Sequence, residues 1–144
     1  MLYARSGREL VVRLTDWDDL MGSLRLVLEE ECADGAFVLM GIGMLREATL
    51  GWFDDRSCST RREVGPLEIL SCQGTVSSRG EDVHVHLHAC LGRADGSTTG
   101  GHLLDGRVLR NAEILVTLAS NISLVREFDG TFHGLRPLPR RTRR

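Results

Sequence analysis

The stretch DVHVHLHACLGRADG, residues 82–96, decides how this chain is read. Apolar Val83, Val85, Leu87, Ala89 and Leu91 alternate with His84, His86, His88 and Cys90. Successive side chains of a strand point to opposite faces. The alternation therefore predicts a strand with one packed face and a second face carrying three imidazoles. Asp95-Gly96 is a turn signal that ends it.

Two histidines at i and i+2 on one strand stand about 6–7 Å apart, within reach of one ion when both rings lean inward. A third ligand has to come from elsewhere, and His102 in TTGGHLLDG lies just past the turn, where a returning strand would run beside the first. Gly100 and Gly101 lack the Cβ atoms that would crowd that approach. The same alternation also suits a solvated polar face. Cys90 continues the histidine register and offers a thiolate donor, although a free cysteine is more often a small packed residue. His133, in GTFHGLRP, has no partner in sequence and reads as a surface residue.

Working outward, GPLEILSCQGTVSSRG before the histidines reads as their antiparallel neighbour. AFVLMGIGMLREATLGWFDD reads as a buried strand bent by a bulge or a close backbone approach at Gly41 and Gly43. RELVVRLT is a short strand, and a helix follows it, capped by Thr15 or Asp16 with Asp18 and Asp19 in its first turn. Leu20, Leu24, Leu26, Val27 and Leu28 give that helix an apolar stripe that ends before Gly35. HLLDGRVLR and NAEILVTLA read as extended, although AEILVTLA also suits a helix by propensity, and SLVREF supplies a last strand. The class is α+β: a single domain over residues 1–130, with a largely antiparallel sheet and one main N-terminal helix. Residues 131–144 are expected to form a basic, disordered tail.

With 42% hydrophobic but only 5% aromatic residues in 144, the core must be mostly aliphatic. The longest apolar window, Ala36 to Leu45, is too short to span a bilayer, and no basic-then-apolar leader is visible. Four cysteines without a CxxC pair point to reduced thiols, so a soluble cytoplasmic protein is expected. Net charge is −2, and setting aside Arg136, Arg140, Arg141, Arg143 and Arg144 leaves −7 on residues 1–135. An acidic body is a poor nucleic-acid surface, so DNA is not the favoured partner, and only the tail would attract phosphates. GIGML lacks the third glycine and the helix start of a dinucleotide fingerprint, and no GxSxG or HExxH occurs.

GAFVLMGIGMLREATLGWFD, GPLEILSCQGTVS and DVHVHLHACLGRADGSTTGGHLLDGRVLRNAEI together resemble the plant and prokaryote conserved (PPC) domain, found alone in bacteria and archaea and behind AT-hooks in plants. The resemblance covers roughly residues 8–128 and is most specific in the pattern HxHxxxxxxDGxxxGGHLxxGxV. It implies a compact α+β domain, a homotrimer, and a divalent metal, zinc by preference for a nitrogen-rich site, held by His86, His88 and His102. His84 is an addition to the pattern, and Met44 and Cys72 stand where the family would have a small and an aliphatic residue.

An enzyme built on such a site also needs a proton carrier, and Glu113 in NAEILV is the candidate, because the resemblance places its strand beside GGHL. Glu68 in GPLEIL is the weaker one. His84, Arg46 and Glu113 are candidates for supporting the ligands or meeting substrate, Arg46 through its fixed fork of donors. The reaction, if any, is not specified by these residues. Two alternatives stand beside the metal-binding reading: DNA binding through the basic tail, and a non-catalytic assembly module with a structural metal.

Overall fold

The computed structural model describes residues 1–140; Arg141, Arg143 and Arg144 of the expected tail lie outside the described residues. The elements are β1 (Leu2–Ser6), β2 (Glu9–Thr15), α1 (Leu20–Glu30), β3 (Ala36–Phe53), β4 (Cys58–Arg79), β5 (Asp82–Gly92), β6 (Thr98–Leu118), β7 (Ile122–Phe128) and β8 (His133–Pro139). Strands dominate, so α+β holds only in the coarse sense of a sheet carrying one short helix.

The sheet runs β1-β2-β6-β3-β4-β7-β8, and β5 pairs with both β4 and β6. The β3–β4, β4–β5, β5–β6 and β6–β3 pairings, all antiparallel, thus close into a circuit. The bend expected at Gly41 and Gly43 is present, because the β3–β6 register shifts between Val38 and Met40 and again between Gly43 and Leu45. AEILVTLA is strand, not helix: Ala112, Ile114, Val116 and Leu118 are buried on β6, which is flanked by β2 and β3. Period-2 burial between two neighbours overrides a helical propensity that alone is a weak preference.

Helix α1 buries Leu20, Leu24, Val27 and Leu28 against the sheet, while Leu26 faces outward. Its cap is Asp19, not Thr15 or Asp16, and no acid lies in its first turn. Asp19 Oδ1 accepts the Gly22 N–H at 3.0 Å. The two acids before it serve the loop: Asp16 Oδ1 accepts the Arg110 N–H at 2.8 Å, and Asp18 Oδ2 accepts the Thr15 N–H at 2.8 Å. Asp19→Ala is expected to lower stability by about 1 kcal/mol, read as a lower urea midpoint with an unchanged m-value.

A strand precedes the first one expected, and another follows the last. β1 hairpins onto β2, and β8 pairs with β7 from Ile122↔Pro139 to Phe128↔His133. The disorder expected from residue 131 is therefore corrected over His133–Pro139. Arginine content there answers to local carboxylates: Arg136 Nη1 lies 2.6 Å from Glu127 and Arg140 Nε 2.9 Å from Asp34. Pro137 and Pro139 are tolerated because β8 is an edge strand.

Candidate metal centre

On β5, Val85, Leu87, Ala89 and Leu91 are buried, so His84, His86, His88 and Cys90 occupy the opposite face. A tight turn sets what meets them: the Arg93 N–H donates to Ser97 O at 2.8 Å and the Ser97 N–H to Asp95 Oδ1 at 2.9 Å. The ladder then runs from Gly92↔Thr98 to His88↔His102, which places the third imidazole directly opposite the second. Close approach is essential here, since a Cβ on Gly100 would stand 2.8 Å from the Ala89 carbonyl oxygen.

The His86 and His102 rings are 4.4 Å apart between centroids and edge-on, and His88 lies 5.2 Å from His86 and 5.4 Å from His102. One ring nitrogen from each of the three falls within 4.8 Å of the other two. With metal–nitrogen bonds of about 2.0–2.1 Å, tetrahedral ligands stand about 3.4 Å apart, so no pair has to close by more than about 1.4 Å, a shift that ring rotation can supply. Three imidazoles on two paired strands suit a borderline divalent ion. His84 is outside this trio, its ring 6.4 Å from His86, and faces a cleft of about 410 Å³ lined with Arg25, Glu29, Arg79, Asp82 and Val83. Cys90 does not join the trio either.

The electrostatics favour the neutral form of His84, His86 and His102. Burial first, then neighbouring cations, lowers the pKa of His84, His86 and His102, and His86 falls to about 4. A histidine whose folded pKa lies below its unfolded value binds protons more readily in the unfolded chain. The metal-free protein should therefore lose stability as pH falls from about 6.5, the ordinary value, and the His86 contribution should level off near 4. Urea midpoints across that window check this, with a shallower slope expected in His86→Gln.

The cation that recurs is Arg126 on β7, which no local pattern singled out. It lowers the pKa of His84, His86 and His102. Its Nη2 donates to Thr75 Oγ1 at 3.3 Å, Nε to Ser77 Oγ at 3.4 Å and Nη1 to the His133 carbonyl at 3.2 Å. Thr75 and Ser77 face His86 and His84 across the β4–β5 pair. His133, expected to stand alone, has Arg79 Nη2 at 3.3 Å from its Nε2.

Three other candidates lie apart from the imidazoles. Glu113 is exposed between Arg13 and Ile42, eleven residues from His102 along β6, with Asn111 Nδ2 as its hydrogen-bond donor at 3.4 Å. Being on the same strand as GGHL put it far along that strand. Arg46 is held by Asp16 at 2.7 Å and stacks 4.1 Å over the Trp17 ring, five residues along β3 from Gly51, the neighbour of His102. Glu68 is exposed on β4 opposite Gly92. Among the described residues the buried carboxylate is instead Glu63, held by Arg61 at 2.6 Å and Arg93 at 2.9 Å.

Fold and site together define a β-rich domain that gathers three imidazoles from two adjacent strands. The model of the Plants and Prokaryotes Conserved (PCC) domain matches residues 1–120, and the chain belongs to that family, the same one abbreviated PPC above. It is 34% identical over 112 residues to the bifunctional protein GlmU of Synechococcus sp. (strain JA-3-3Ab), covering 77% of this chain and 17% of that protein. The chain thus spans only about a sixth of the length of the curated relatives it matches. It is similar to the structure of a metal-containing protein from Archaeoglobus fulgidus, at 28% identity and TM-score 0.81, over 96% of this chain and 99% of that one. A candidate DNA-binding protein from Bacteroides thetaiotaomicron shares the fold at 24% identity and TM-score 0.86, over 95% and 96% of the two chains. No helix among the described residues is long and apolar enough to cross a membrane.

Proposed function

We propose that this chain is a metal-binding domain whose His86, His88 and His102 hold one divalent ion, zinc by preference, and that three copies assemble. The observation that carries the reading is the convergence of three ring nitrogens within 4.8 Å from strands whose register is set by one tight turn. The metal-containing Archaeoglobus fulgidus relative supports it. An ion bound there would supply Lewis-acid polarisation at its open position. The residues of this chain would position the imidazoles and favour the neutral form of His86 and His102. Assembly is supported by exposed Leu39, Met40, Ile42 and Leu70 on the paired strands β3 and β4, apolar side chains of the kind that mark interaction surfaces where they cluster. The DNA reading gains little, because Arg136 and Arg140 are engaged by Glu127 and Asp34.

Elemental analysis of the purified protein beside the His86→Ala/His88→Ala variant tests the ion. Near-stoichiometric zinc or another transition metal in the parent and none in the variant is the expected result. Metal-free parent protein after metal-replete growth without chelator would overturn the site. Light scattering before and after chelation separates a structural ion, whose loss breaks the assembly, from a functional one.

A further inference from the structure

Arg126 is a half-buried cation beside a site built to receive another cation. Three of its five N–H groups are engaged, all by neutral oxygens at 3.2–3.4 Å, longer than the roughly 2.7–2.9 Å of charge-assisted bonds. Among the described residues no carboxylate pairs with it. Among the described residues one N–H on each of Nη1 and Nη2 has no acceptor, and those two nitrogens can form the fork that grips two oxygens of one anion.

Thr75 and Ser77 hold the guanidinium on the face that carries His86 and His84, because directly opposed residues of an antiparallel pair share a face. The trio contributes no negative charge. The charges acting most on His86 and His102 are other histidines and Arg126. A divalent ion beside a fixed guanidinium in a partly desolvated site repel each other unless an anion lies between them. A carboxylate supplied by the chain would have served that purpose, and among the described residues none pairs with Arg126 or joins the trio.

Resting on the metal-binding reading, we infer that Arg126 is the anchor for an oxyanion-bearing ligand, a carboxylate or phosphate group, taken up beside the ion at His86, His88 and His102. The site then selects small acidic molecules, and Arg126 is the residue that distinguishes them from neutral ones. Both classes offer the paired oxygens that the fork requires.

The test uses the full chain loaded with cobalt(II), whose visible absorption reports its ligands. Uptake of one cobalt by the wild type reads the metal site; failure of uptake removes the metal reading and this inference with it. Inorganic phosphate and acetate are then titrated separately into loaded wild type and Arg126→Gln. The expected result is that at least one shifts the spectrum saturably, and that its affinity falls at least about tenfold in Arg126→Gln while cobalt stoichiometry is unchanged. Saturation by phosphate alone or by acetate alone tells which group the site takes. If neither anion binds the loaded wild type, or if the titrations coincide in wild type and variant, the inference is overturned although the metal site stands. Should Arg126→Gln lack the wild-type far-ultraviolet spectrum, Arg126→Lys, which keeps the charge and loses the fork, replaces it with the same expectation of weaker anion binding.

Discussion

His102→Ala is expected to weaken zinc binding by more than about 100-fold while leaving the fold intact. Changes to groups that only support a ligand typically cost about 10–100-fold, and removing one of three ligands should exceed that. His102 is half-buried on the open face of β6, so its loss opens no core cavity. Only the two imidazoles of β5 would remain, and two ligands on one strand hold an ion loosely. Competition against a chromogenic chelator gives the affinity, and far-ultraviolet circular dichroism checks the fold. His84→Ala is the contrasting variant: its ring lies outside the trio, so its effect should stay within about tenfold. Equal losses in the two variants would mean that the ligand set is wrong.

Gly74→Ala should destabilise the protein by about 3 kcal/mol, the upper end of what overpacking costs, or more. A Cβ at Gly74 would stand 2.0 Å from the carbonyl oxygen of His86 and 2.9 Å from the Cα of Leu87. Both atoms are backbone, so no side-chain rotation relieves the clash; β4 and β5 must move apart. The gain from restricting the unfolded chain, about 0.4–1 kcal/mol, is too small to compensate. Because the displaced atom belongs to His86, zinc affinity should fall together with the urea midpoint. A midpoint equal to that of the wild type would show that β4 and β5 are not as close as described.

Much of the site was readable because its determinants are local. Alternation in 82–91 assigns His84, His86 and His88 to one face whatever lies beside the strand, and the turn at Asp95-Gly96 sets the register that brings back His102. The bend at Gly41 and Gly43 was equally local. The helix was placed but its cap was not, since Thr15, Asp16, Asp18 and Asp19 are all good capping residues and only the loop geometry chooses among them. β8 was missed because a run of arginines and prolines reads as a tail until Glu127 and the open edge of β7 stand beside it.

The sequence alone put His84, His86 and His88 on one strand face and returned His102 beside that strand, because a period of two and a tight turn are properties of neighbouring residues. The α+β reading holds only coarsely because strands dominate, and the choice of His86 and His88 over His84 came from the family resemblance. Only the tertiary structure decided what surrounds them. It set Arg126 against Thr75 and Ser77, 51 and 49 residues away in the chain, and carried Glu113 along a long strand away from the imidazoles. Such separations are settled by sheet order and strand bending, and those depend on how the whole core packs.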